Sequence, residues 1–169
     1  HNLSFISDVF SYAVRMELIS DNPCSKVVIP KGKVKEKQIY SQEEMELLLT
    51  RLMGEPVKYK AFFYLIAYSG FRRSEMLGLE WKDIDFENNI ISVRRTSNYT
   101  AERGIYTDTT KTKRSQRTLK ISPFIMDILR EHKADQDAEA LRLGDKWVET
   151  DRLFTKWNGE PMNNQTPYG

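Results

Sequence analysis

Cysteine and histidine are nearly missing from this chain: Cys24 is alone, and the two histidines, His1 and His132, lie far apart. A lone cysteine has no partner for an internal disulfide, so a reducing cytoplasm is the expected compartment. With no cysteine pair and no His-x-x-His spacing, a zinc site is not expected, and His132 is expected at a helix C-terminus. No apolar run approaches the roughly 20 residues that a membrane helix needs. The opening His1-Asn-Leu-Ser has no charged-then-apolar leader, so no secretory signal is expected. Neither a GxGxxG run nor a phosphate-binding loop occurs, which argues against a nucleotide cofactor. The alternating carboxylates Asp83, Asp85 and Glu87 lie between a helical and a strand-like segment, where caps and turn bonds are a better reading than a magnesium site.

What remains is the composition of an ordinary globular protein, with 40% hydrophobic and 30% charged residues in a chain of 169. That length suits one real core, or one domain carrying a piece of a second, and the second option is the expected one. The net charge of +2 conceals an asymmetry. Between Arg94 and Lys120 stand eight cations against two acids, a local excess of +6 that the rest of the chain offsets. Positive charge gathered in one segment of a nearly neutral protein suggests a surface for a polyanion.

Leu3 to Leu18 carries apolar residues at helical spacing and predicts one amphipathic helix, stopped by Asn22-Pro23. One helix cannot bury its own stripe, so it reads as the last element of a domain, or as a helix packed on the main body. Ile29 to Gln38, with four lysines, a proline and a glycine, reads as an exposed basic linker, either merely solvated or touching a nucleic-acid backbone. Ser41 followed by Glu44 predicts a capping box opening a helix from Met45 to Leu52. A longer helix is expected from about Val57 to Ser69, then a break at Gly70 and a short helix from Ser74 to Leu79. Strands are expected at Ile90–Arg95, Gly104–Thr110 and Arg117–Ile121, which makes Lys111 to Gln116 a hairpin tip. Ser122-Pro123 opens a helix over Phe124 to about His132; Asp135 to Asp151 is acidic and at best helical. Trp157 to Pro161 is a turn.

The segment Ala67-Tyr-Ser-Gly-Phe-Arg-Arg-Ser-Glu-Met-Leu-Gly-Leu79 is the most telling. An apolar helix ends on Gly70, and Arg72 emerges beside the positive end of the next helix, three residues before Glu75. A guanidinium there offers forked donors that match two phosphate oxygens. A structural salt bridge to Glu75 is an equally good account of the same spacing. Lys111, Lys113 and Arg114 either project from a hairpin tip toward a phosphate backbone or form a solubilising turn. A lysine among cations can have its pKa lowered enough to donate a proton. Arg94, Arg95 and Arg117 on flanking strands favour a basic face.

These residues resemble the tyrosine recombinases, specifically the integrases of phages and conjugative transposons. Gly70-Phe-Arg-Arg-Ser-Glu-Met-Leu-Gly-Leu79 is similar to that family's first arginine motif, Trp81-Lys-Asp-Ile-Asp85 to the segment after it, and Lys111-Thr-Lys-Arg-Ser-Gln-Arg117 to its lysine-bearing β-hairpin. The resemblance implies an α+β fold: a predominantly helical catalytic domain with a small three-stranded antiparallel sheet. It divides the chain into the C-terminal helix of a core-binding domain (1–28), a basic linker (29–39) and an incomplete catalytic domain (40–169).

The same resemblance implies a site-specific recombinase that cleaves and rejoins DNA through a 3′-phosphotyrosyl intermediate. Arg72 and Lys111 would be catalytic, and Lys31, Lys33, Lys35, Arg94, Lys113, Arg114 and Arg117 would bind DNA. It implies double-stranded DNA as partner and self-association on it, as a tetramer in a synapse. No metal, cofactor, membrane or small-molecule substrate is expected. The second box, a later His or Trp, and the nucleophilic tyrosine are expected beyond Gly169. Tyr168 precedes any second box and is not given that role, and Tyr64 and Tyr68 read as core. On these expectations residues 1–169 are inert by themselves. The competing reading is a non-enzymatic DNA-binding module using the basic hairpin face; a third is a helical protein-interaction fragment.

Overall fold

The computed structural model describes residues 2–28, 39–109 and 116–164, in two units, His1–Ile39 and Tyr40–Gly169. In the first unit, helix α1 (Asn2–Arg15) presents Phe5, Ile6, Val9 and Tyr12 exposed, with no residue buried. It ends earlier than Asn22-Pro23 would dictate. Glu17 takes a left-handed φ of 58°, the Leu18 N–H reaches back to the Ala13 carbonyl, and the Glu17 N–H to Val14. This is a Schellman closure, and it satisfies the last carbonyls before the proline is reached. Asn22 acts instead as a tether, since its Nδ2 donates to the Ser7 carbonyl and Ser11 Oγ, both at 2.9 Å, and its Oδ1 accepts from the Cys24 N–H. The chain leaving the helix is thereby tied back along α1.

The second unit opens with α2 (Gln42–Leu52), whose capping box is formed as expected: Glu44 N–H donates to Ser41 Oγ, and Ser41 N–H to Glu44 Oε2 at 2.8 Å. Helix α3 (Val57–Ser69) buries Ala61, Phe62, Tyr64 and Leu65, and Gly70 closes it at φ 63°. Tyr64 is core and donates to the Leu49 carbonyl, whereas Tyr68 stacks on Tyr64 from outside and is exposed, contrary to the core reading. A single turn, α4 (Arg73–Met76), and a 3₁₀ turn at Trp81–Asp83 lead into the strands.

β1 (Ile84–Asp85), β2 (Ile90–Val93) and β5 (Arg117–Lys120) form an antiparallel three-stranded sheet in the order β1-β2-β5. The expected strand 90–95 divides at Arg94, and its second half, β3 (Arg95–Thr100), pairs instead with β4 (Gly104–Thr109) in a separate two-stranded ribbon. The strands flanking the expected hairpin tip are therefore not each other's partners. Thr109 faces Arg95 and Arg117 faces Val93, on either side of Arg94. The tip itself, apart from Gln116, lies outside the described residues.

Helix α5 (Pro123–Leu143) runs well past His132, which sits within it rather than at its end. Its N-terminal half buries Ile125, Met126, Ile128 and Leu129. The charged C-terminal half is supported by same-face ion pairs, Lys133–Asp137 at 3.1 Å and Arg142–Glu139, until Gly144. The core lies between α3, α5 and the sheet, with Met76, Leu79, Ile91, Val93, Leu153 and Phe154 almost wholly buried.

Candidate phosphate-binding site

Gly70 turns the chain out of α3, Phe71 plugs into the core, and Arg72 becomes the N-cap of α4 in extended conformation (φ −69°, ψ 147°). One turn later Glu75 points back, its side chain only 2% exposed. Glu75 pairs with arginine, as the spacing allowed, and it also caps the turn. Its Oε2 accepts the Arg72 backbone N–H at 2.8 Å and its Oε1 accepts Arg72 Nη1 at 3.2 Å. The positive helix end expected to attract an anion is thus filled from within, and α4 is too short to carry a sizeable dipole. What faces solvent is the Arg72 guanidinium, on a side chain 78% exposed.

A second arginine reaches the same carboxylate. Arg117, from β5, donates Nη1 to Oε1 at 3.0 Å and Nη2 to Oε2 at 2.9 Å, with its guanidinium over the Phe71 ring. Burial would raise the Glu75 carboxyl, but hydrogen bonds from Arg117 and the Arg72 backbone, with the Arg117 charge, hold it below the ordinary range. The reciprocal bond raises Arg117.

The three arginines read together as a basic face divide. Arg95 turns inward onto Asp83 and onto Glu80 at 2.9 Å, and Arg117 is engaged with Glu75. Arg94 points outward, its Nε 3.9 Å from Asp83. It lines a depression of about 340 Å³ with Gln116, Arg117 and Thr118. Asp83 and Asp85 make the cap and turn bonds expected of them: Asp83 accepts the Glu80 N–H, and Asp85 those of Glu87 and Asn88. Charge counting in sequence could not show that buried Asp83 and Glu75 engage Arg95 and Arg117, two of the eight cations in the basic segment. Nor did it signal Arg152, which donates to the Leu77 carbonyl and to Thr107 Oγ1 beneath the ribbon.

Lys111, Lys113, Arg114, Lys31, Lys33 and Lys35 lie outside the described residues. Among the described residues no group of three or more His, Cys, Asp or Glu side chains is placed to hold a metal ion, and no helix is long and apolar enough to cross a membrane.

A predominantly helical α+β domain, with an arginine held outward on a shared carboxylate beside a small antiparallel sheet, is the frame these observations define. The chain belongs to the phage integrase family, whose model matches residues 38–169. A XerC-like tyrosine recombinase of Caldanaerobacter subterraneus subsp. tengcongensis is 35% identical over 178 residues, covering 95% of this chain and 45% of that protein. The ICEBs1 integrase of Bacillus subtilis is 28% identical, over 84% of this chain and 38% of its own length. The chain therefore spans about half the length, or less, of these relatives. Among solved structures, the Tn1549 transposon integrase in complex with transposon right end DNA superposes with a TM-score of 0.78 at 24% identity, covering 96% of this chain and 52% of that one. The lambda integrase tetramer bound to a Holliday junction gives 0.57 at 18% identity, covering 98% and 42%. At these identities the likeness is one of fold. The tyrosine recombinase resemblance drawn from the Gly70–Leu79 motif is borne out by the family match and the named relatives.

Proposed function

We propose that this chain forms part of a site-specific DNA recombinase that cleaves and rejoins double-stranded DNA through a 3′-phosphotyrosyl intermediate. Residues 1–28 would close a core-binding domain, 29–39 would be a basic linker, and 40–169 would belong to the catalytic domain. Arg72 holds the scissile phosphate. A tyrosine supplied from outside residues 1–169 attacks the phosphorus, and the departing 5′-oxygen takes its proton from the Lys111 ammonium. Two cations thus act where charge develops, Arg72 on the nonbridging oxygens and Lys111 on the leaving group.

The observation that carries this reading is the mounting of Arg72. Its backbone and one nitrogen are fixed by Glu75, while the rest of the guanidinium faces solvent. Preorganised and partly unspent donors are what transition-state stabilisation requires. In sequence, Lys111 follows β4, whose last residue is Thr109. Thr109 itself faces Arg95. Arg94, Lys113 and Arg114 would neutralise backbone phosphates nearby, and Lys31, Lys33 and Lys35 would do so from the linker. The lambda integrase assembled as a tetramer on a Holliday junction supports self-association on DNA. DNA as substrate, with the lone Cys24, supports a cytoplasmic setting.

The test is formation of covalent protein–DNA adducts by the full-length protein. Arg72→Ala should suppress adducts by about 100-fold or more. DNA binding without any adduct in the unsubstituted protein would favour the non-enzymatic DNA-binding module.

A further inference from the structure

Glu75 receives four N–H donors, and the way they are shared is uneven. Arg117 takes both oxygens in a fork, at 3.0 and 2.9 Å, whereas Arg72 reaches one oxygen through a single guanidinium nitrogen at 3.2 Å. Arginine facing an open carboxylate favours the bidentate pair. Had Arg72 formed it, two of its donors would be spent and its plane drawn down onto the protein.

Arg117 has every advantage in this competition. It is the more buried of the two, at 34% exposure against 78%. Its guanidinium lies over Phe71, 5.5 Å from the ring centroid, and its backbone is fixed by the pairing of β5 with β2. Its two bonds are also the shorter ones. Among the described residues, Nε and Nη2 of Arg72 donate to no partner. Two guanidinium charges against one carboxylate leave a surplus of one positive charge, which falls on the outer arginine.

We propose that Arg117 is a positioning residue rather than a phosphate contact: by saturating Glu75 it denies Arg72 a bidentate pair and leaves the outer Arg72 N–H groups for a DNA phosphodiester. The proposal rests on the reading of Arg72 as the arginine that grips phosphate. It also gives β5 a second role, since the strand that closes the lysine-bearing segment sets the donors of Arg72 as well.

The experiment compares Arg72→Ala, Arg117→Lys and the double variant of this chain for binding to a short DNA duplex at low salt by fluorescence anisotropy. Lysine keeps a cation on Glu75 but cannot fork, so one carboxylate oxygen becomes open to Arg72. Arg72→Ala should weaken binding about tenfold. Arg117→Lys should approach that loss, and the double variant should bind no worse than Arg72→Ala alone. Native-like affinity of Arg117→Lys, or losses that multiply in the double variant, would overturn the proposal, the second outcome making Arg117 an independent phosphate contact. Unchanged binding by Arg72→Ala would sink the Arg72 reading itself, and the proposal with it.

Guanidinium NMR of the unsubstituted chain, titrated with inorganic phosphate, gives a readout that does not depend on the variants folding. Arg72 resonances should move and Arg117 resonances should stay. Equal movement of both would overturn the proposal.

Discussion

His132 lies in the core between the rings of Phe154 and Trp81, with Nε2 2.7 Å from the Leu153 carbonyl and Nδ1 buried with no hydrogen-bond partner among the described residues. Nε2 therefore carries the proton and donates it. Burial holds the imidazole below its ordinary value of 6.5; the Leu153 bond and Asp135 oppose this, and Lys58 adds to it. The folded protein thus keeps His132 neutral while the unfolded chain takes up a proton as the pH falls below that ordinary value. Stability should decline with acidification through this window, by at most about 1.4 kcal/mol per pH unit. Urea midpoints between about pH 7 and 5 should show the slope, and His132→Gln should flatten it. Glu75 titrates elsewhere: its depressed carboxyl contributes stability that is complete above the ordinary range near 4.5 and is lost only as the pH falls through its lower folded value.

At the scale of elements, the β3–β4 ribbon is stitched to the core by side chains from distant segments. Arg95 reaches Asp83, Arg152 reaches Thr107, and Asn164 Nδ2 donates to the Ser97 carbonyl. The backbones themselves touch at Gly78, where a Cβ would lie 2.8 Å from the Arg95 carbonyl oxygen and 3.1 Å from Thr96 Cα. Gly78→Ala must push the ribbon off α4 and should cost about 1–3 kcal/mol, visible as a lower Tm by circular dichroism. Gly54→Ala is the control, because the nearest atom to a Cβ there is the Arg51 carbonyl oxygen at 3.7 Å. An equal loss in both variants would show that the contact at Gly78 does not hold the ribbon.

For the whole molecule, the proposed chemistry divides binding from bond breaking. Lys111→Ala in the full-length protein should slow strand cleavage about 100-fold while lowering duplex affinity only severalfold, since one ammonium is a small part of the backbone charge bound. Equal loss in both would make Lys111 a phosphate contact. Cleavage should also continue in the presence of a chelator, because guanidinium and ammonium groups supply the positive charge; activity lost with metal removal would refute the mechanism.

Local signals in this sequence determined local structure. The Ser41–Glu44 box, the Gly70 stop, the Asp85 turn and the helical spacing of α3 each depend on residues a few positions apart, and each was legible. The Arg72–Glu75 spacing showed that the two would meet. Tertiary structure alone decided how Glu75 is shared, because Arg117 arrives on strand β5 from 42 positions away. It also decided that β3 leaves β2 at Arg94 for a different sheet, and that acids at positions 75, 80 and 83 absorb the charge of Arg95 and Arg117. Formal charge adds along a chain, but the field at a site depends on which pairs are buried together, and that is settled only when distant segments pack.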